Sequence, residues 1–290
     1  MDVGPFRMEV IEPMRRTRII LDDNESGITC DLTFSARTAS IQEARQTLWQ
    51  GTRRAMDATR FDQFGRWSGV VNHPDGQIRV DESVCLGTKD RSWGVRWVGE
   101  RETGGAPVIP DGICFVWAPL IWDDHISHAI FFDGPKGEPL VREGLEAPLY
   151  QTEAEIPGVE DGLVERKLTA RHRIEYHPGT RLAKAAEIDL VNLDDGVRRI
   201  KLEPKLKFMM KGLGYGHPEW KQGAWKGELA TGHESFDPRQ LDHQAPENIH
   251  TQQIVTATDG ERQGVGVLEQ IVVGPYEPAG FKGFFDGYSE

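Results

Sequence analysis

The stretch "ICFVWAPLIWDDHISHAIFF", residues 113–132, decides the fold. Its hydrophobic period is two, not the 3.6 of a helix, so it reads as two strands joined by a turn at Trp122 to His125. Working outward, the same period returns in "LVERKLTARHRIEY", residues 163–176. There Val164, Leu168, Ala170, Ile174 and Tyr176 share one face and Glu165, Lys167, Thr169, Arg171 and Arg173 the other. In "RIKLEPKLKF", residues 199–208, Ile200, Leu202, Leu206 and Phe208 are expected inside and Lys201, Glu203, Lys205 and Lys207 outside. Clean alternation of this kind marks antiparallel strands with one wet face.

Toward the N-terminus, "RTRIIL" and "ITCDLTFSA" are joined by "DDNESG", an Asp/Asn/Gly-rich turn that closes a hairpin, and Ile78 to Leu86 repeats the signal. Helical candidates are few: residues 40–49, "SIQEARQTLW", and a short turn in "HPEWKQGAW". With 32 glycines and 17 prolines punctuating short strands, the pattern is an all-β sandwich or barrel. The acidic, proline-containing stretch 144–162 suggests a boundary, giving β-domains at 1–145 and 146–290.

The chain has 290 residues, enough for one large or two ordinary domains, and its formal net charge is −12. Nucleic-acid binding needs a basic stripe, and none stands out. No apolar run approaches the roughly 20 residues of a membrane helix, and the N-terminus lacks the order of a secretory signal, so a cytoplasmic protein is expected. Cys30, Cys85 and Cys114 are far apart and odd in number, which suggests core residues instead of disulfides or a thiolate metal site.

"GTKDRSWGVRWVG", residues 87–99, concentrates charge and indoles. On a strand, Asp90, Ser92 and Gly94 point one way and Arg91, Trp93 and Val95 the other, so acid and indole cannot both face a core without a bulge. Asp90 could act as an acid or base beside Trp93, whose apolar face would raise its pKa. The favoured alternative is a buried Asp90–Arg91 or Asp90–Arg96 network tying two strands. His128 shares its phase with Ile126, Ile130 and Phe132 and is expected to point into the core. Spacing of the HxxH type on a strand sends His125 and His128 to opposite faces, so no metal site is expected.

His172 sits on the apolar phase of its strand near Tyr176, and Glu269 on that of "GVGVLEQIVV" among Val265, Val267, Ile271 and Val273. A carboxylate on an apolar face costs several kcal/mol unless paired or neutral, so Glu269 is either a reactive acid or a structural hydrogen-bonding group. "GLGYGHPEWKQGAWKGE", with His217 and Trp220, could cover a pocket mouth or plug a barrel end. It lacks GxGxxG and a Walker lysine, and no GxSxG, HExxH or kinase set occurs, so no cofactor is expected.

"GTKDRSWGVR", together with "FDQFGRWSG", "GYGHPEW" and "GVLEQI", resembles a bacterial family with a DRSWG motif related to the hydroxyneurosporene synthase (carotenoid 1,2-hydratase), AttH and tocopherol cyclase group. The resemblance implies two lipocalin-like antiparallel β-barrels or half-barrels packed side by side, with a hydrophobic pocket. It also implies hydration, cyclisation or isomerisation of lipophilic polyenes without metal or redox cofactor. Related chains carry strands before the region of Gly4, so this chain is expected to start inside its first barrel or to be shortened.

Two functions follow as expectations. The first is an acid–base enzyme acting on a hydrophobic terpenoid-like or aromatic molecule: Asp90 or Glu269 gives the proton and His128 or His172 takes it. Arg91, Trp93, Trp117, Tyr176, His217 and Trp220 contact the ligand, and indole faces stabilise positive charge. The second is a non-catalytic carrier of a lipophilic ligand. Uncovered edge strands would favour a homodimer.

Overall fold

The computed structural model describes residues 1–50, 52–95, 112–158, 160–161, 165–192, 194, 196–213 and 215–288. Strand makes up 59% of the chain, and among the described residues no helix reaches 7 residues. The chain divides into two compact units, a curled open sheet and a closed eight-stranded barrel.

The sheet unit spans Met1–Trp97, Pro148–Val164 and Trp225–Phe236. Its strands are β1 (Asp2–Val3), β2 (Phe6–Glu12), β3 (Arg16–Leu21), β4 (Thr29–Ala36), β5 (Ile41–Gln42), β6 (Gln46–Gln50), β7 (Arg53–His73), β8 (Gly76–Val80) and β9 (Leu86–Val95). The expected hairpin forms, with Leu21 opposite Cys30. β7 is the spine: β4, β5 and β6 pair along one edge and β8 and β9 along the other. Residues 40–49, expected as a helix, form β5 and β6 instead, because pairing with β7 outweighs the local spacing.

The barrel unit takes Val98–Ala147, Glu165–Ala224 and Asp237–Glu290. β10 (Ile113–Ile121), β11 (His125–Asp133), β12 (Pro139–Pro148), β13 (Arg166–Tyr176), β14 (Ala183–Asn192), β15 (Gly196–Met209), β16 (His250–Asp259) and β17 (Arg262–Val273) run as an up-and-down meander that β17 closes against β10. β10, β11 and most of β12 come before position 145/146 in the chain and belong to the barrel. The stretch after it is no free linker. Tyr150 donates its N–H to Arg37 O at 2.7 Å, Arg15 binds Ile156 O at 2.6 Å, and Ile156 packs against Phe34 and Ala36.

Barrel interiors are lined by every second residue of each strand. Cys114, Val116, Ala118 and Leu120 of β10 and Ala129 and Phe131 of β11 point inward to meet Ala170, Ile188, Ile200 and Leu268. The alternate phase of β10 and β11 is buried as well, with Phe115, Trp117 and Ile130 forming a second cluster on the outer face. Two-sided burial explains why apolar side chains also fill the second phase of β10 and of part of β11, on top of the period of two. On β15 the expected inward placement of Leu206 and Phe208 fails: they are 67% and 57% exposed. The register shifts between Pro204 and Leu206, and one extra residue turns the following side chains to the opposite face.

Candidate functional site

In the sheet unit, strand pairing assembles a cluster of carboxyl groups. β7 places Asp62 directly opposite Asp90 of β9, and Arg60 and Asp62 share a face. Glu43, between β5 and β6, is held beside them because its N–H donates to Arg60 O at 3.1 Å. Arg60 faces Glu43 at 3.6 Å on one side and Asp90 at 3.5 Å on the other. Asp62 and Glu43 are buried while Asp90 reaches solvent.

Burial raises the Asp62 pKa first, and the charge and hydrogen-bonding reach of Glu43 and the charge of Asp90 raise it further. Arg60 offsets this only in part, so Asp62 stands far above the usual carboxylate range. Elementary electrostatics agrees: carboxyl groups crowded around one guanidinium in a dry site cannot all ionise. The arrangement keeps a carboxylic acid neutral where water-exposed aspartates are ionised.

The DRSWG residues lie on the outer part of this cluster. β9 pairs with β7 in unbroken register from Leu86 to Val95, so the expected bulge is absent, and Asp90 to Val95 are exposed on both faces. The conflict between acid and indole disappears because neither face is covered. Trp93 is 51% exposed and packs edge-on against Phe61 at 5.9 Å. Arg91 lies across from Phe61, and Asp90 faces Arg60, not the expected Arg91. Arg96 lies outside the described residues. Gly94 has φ +131°, and a Cβ there would sit 2.2 Å from Asp57 O, so this glycine is required for the two strands to approach.

Inside the barrel, His172 meets Asp133, with Nε2 and Oδ2 2.8 Å apart. Tyr276 donates to the same oxygen at 3.2 Å, and Arg142 binds Oδ1 through Nε at 3.3 Å and Nη2 at 3.2 Å. Burial alone would raise the Asp133 pKa, but the His172 hydrogen bond and the His172 and Arg142 charges outweigh it and hold the group below the ordinary range. Tyr176 and Tyr276 flank Cys114, whose thiol burial pushes up to about 12 and thereby makes inert.

A second histidine–carboxylate pair lies on the outer face. Glu269 stands across from Trp117 on one side and Gln252 on the other. Its Oε1 is 2.8 Å from His250 Nε2, and Gln252 Nε2 donates to Oε2 at 3.2 Å. His128 is buried, as expected, but on this outer face and not in the barrel interior, with its ring 5.3 Å edge-on from Trp117. The apolar phase around Glu269 is likewise the outer one.

The structure thus separates the sequence candidates. Glu269, Trp117 and His128 gather on the outer barrel face, His172 and Tyr176 lie inside, and Asp90, Arg91 and Trp93 belong to the sheet unit. His217 is buried, and its Nδ1 accepts the N–H groups of Glu219 and Trp220 at 3.1 and 3.0 Å, so it organises its own turn. Sequence reasoning missed Glu43, Asp62, Asp133 and His250. Asp133 continues the inward phase of Ala129 and Phe131, the same signal that drew attention to Glu269.

Residues 1–282 match the model of a family described as a family of unknown function, DUF8625, and the chain belongs to it. No curated protein matches. Among solved structures, the chain is similar to a candidate AttH from Nitrosomonas europaea, with a TM-score of 0.51 and 14% identity over 89% of this chain and 65% of that one. It is also similar to CghA, solved alone and with Sch210972, with a TM-score of 0.44 and 10% identity over 89% of this chain and 64% of that one. The chain therefore spans just under two thirds of the length of each, and the likeness is one of fold.

Proposed function

We propose that this member of the DUF8625 family is a cofactor-independent acid–base enzyme that hydrates, cyclises or isomerises a carbon–carbon double bond in a hydrophobic terpenoid-like or aromatic molecule. The observation that carries the reading is the buried Glu43–Asp62 pair, which keeps one carboxylic acid neutral. Protonating an alkene needs such a donor near neutral pH.

Asp62 gives its proton to one alkene carbon, and the other becomes cationic. The new Asp62 carboxylate then lies beside Glu43 and Asp90 with Arg60 as the facing cation, so its drive to regain a proton is strong. Taking that proton from a carbon next to the cation completes an isomerisation or cyclisation. Taking it from an added water completes a hydration. Exposed Asp90, across Arg60, links the buried pair to solvent. The carrier reading would lodge the ligand in the barrel interior, where Phe131, Tyr176, Tyr276 and Leu268 already pack together.

The test is incubation with a panel of lipophilic acyclic polyenes in deuterium oxide, read by mass spectrometry. The wild-type protein is expected to incorporate solvent deuterium, and Asp62→Asn to slow this about a hundredfold or more. Equal incorporation by the variant removes Asp62 from the mechanism. Stoichiometric binding with no incorporation supports the carrier.

A further inference from the structure

The His250–Glu269 pair has the construction of a working base. We propose that His250 is a catalytic proton acceptor, positioned by Glu269, for lipophilic molecules carrying an acidified C–H bond. The proposal goes beyond the acid role of Asp62 and does not rest on it.

A histidine acts as a base when one ring nitrogen is engaged by an orienting partner and the other keeps a lone pair for the substrate. Glu269 supplies the engagement at Nε2, 2.8 Å away, and is itself fixed by Gln252. A carboxylate accepts, so the proton sits on Nε2 and the lone pair on Nδ1. That Nδ1 is buried and has no hydrogen-bond partner among the described residues. The ring is 5% exposed, and its backbone is anchored where His250 O accepts Met210 N–H at 2.9 Å. A lone pair kept from water, on a ring held at its other nitrogen by Glu269, is preorganised for proton transfer.

The surroundings define the class of molecule. Trp117 lies across the strand from Glu269, within the outer cluster of Phe115 and Ile130, and the half-exposed Tyr215 ring sits edge-on to His250 at 5.2 Å. Of these, Phe115, Trp117 and Ile130 are themselves buried, and the exposed Tyr215 ring offers the apolar surface beside His250, which suits a flat apolar skeleton. Among the described residues, Glu269 and Tyr215 are the titratable groups in recorded contact with the imidazole. The interior pair differs in one decisive respect. Asp133 divides its charge among His172, Arg142 and Tyr276, whereas the hydrogen bonds to Glu269 come from His250 and the neutral Gln252. Glu269 can therefore support an imidazolium as it forms.

The test uses 5-nitrobenzisoxazole, an apolar probe of general-base strength. Nδ1 takes the C3 proton, the C–H electron pair completes a nitrile as the N–O bond breaks, and the ring oxygen leaves as a coloured phenolate. The wild-type protein is expected to exceed free imidazole at equal concentration, and His250→Gln to lower the rate at least about tenfold. Glu269→Gln should lower kcat at least severalfold with KM nearly unchanged, a split that a merely structural role would not produce. A wild-type rate no greater than imidazole, or an unchanged rate in His250→Gln, overturns the proposal. Nitrogen NMR of the labelled intact protein guards against misfolded variants: it should show Nε2 protonated and Nδ1 bare at neutral pH, and the reverse tautomer contradicts the role. The probe needs no acid, so a negative result leaves the Asp62 reading standing, and loss of the Asp62 reading leaves this one.

Discussion

Asp62 in the sheet unit, at 0% exposure, and Asp133 in the barrel, at 1%, are both almost fully shielded from solvent, yet their pKa values move in opposite directions. Burial raises both. At Asp133 a histidine and an arginine reverse the effect, whereas at Asp62 the nearest groups include two more carboxyls and a shared arginine. Depth therefore does not decide the charge of a buried acid. Its neighbours do, and they divide the two sites into scaffold and candidate chemistry.

The largest expected effect is on the scaffold side. Asp133→Asn removes the anion while Arg142 remains, and should destabilise the barrel by about 3–5 kcal/mol in denaturant unfolding. Because the folded-state pKa of Asp133 is depressed, its contribution is present above the unfolded value and lost as pH falls through the folded one. Acid unfolding of the wild-type protein should therefore be steeper than that of the variant. A loss below about 1 kcal/mol would make Asp133 no more committed than a surface acid.

Next in size is the motif glycine. Gly94→Ala forces a Cβ toward Asp57 O at a positive φ and should cost about 2–3 kcal/mol, read as loss of protection along β7 and β9 in hydrogen exchange. Wild-type protection in the variant would refute the close-approach account.

Asp62→Asn has the opposite sign from Asp133→Asn. A raised folded pKa means that the stability supplied by Asp62 is complete below the unfolded aspartate value and declines as pH rises toward the folded one. Asparagine imitates the neutral acid without that decline. The variant should match wild type near pH 4 and exceed it at neutral pH by on the order of 1–2 kcal/mol, while losing activity. Destabilisation at neutral pH would mean that Asp62 is an ordinary paired carboxylate. The smallest change belongs to Trp93→Ala, which forfeits one edge contact on an exposed strand and should cost less than about 1 kcal/mol in the same unfolding assay.

How much of this was legible in the sequence follows from which forces are local. Residues 166–176 alternate because one face is wet, and the structure keeps that alternation with Ala170 and Tyr176 buried. Leu206 and Phe208 misled because the bulge that exposes them is fixed by pairing with β16. The same distinction separates the acids. Glu269 stood out among valines, but Asp62 lies in "RFDQFG", where polar and aromatic residues share both phases, and Glu43 sits in a segment with helical spacing. Their meeting depends on β5, β6 and β9 all docking on β7, a long-range event that no short window records.

The most direct test of the contrast is carboxyl-carbon NMR of the folded protein labelled at aspartate, at neutral pH, with the two resonances assigned by Asp62→Asn and Asp133→Asn. The account expects a protonated carboxyl at Asp62 and an ionised one at Asp133. An ionised Asp62 would remove the neutral acid and with it the proposed chemistry.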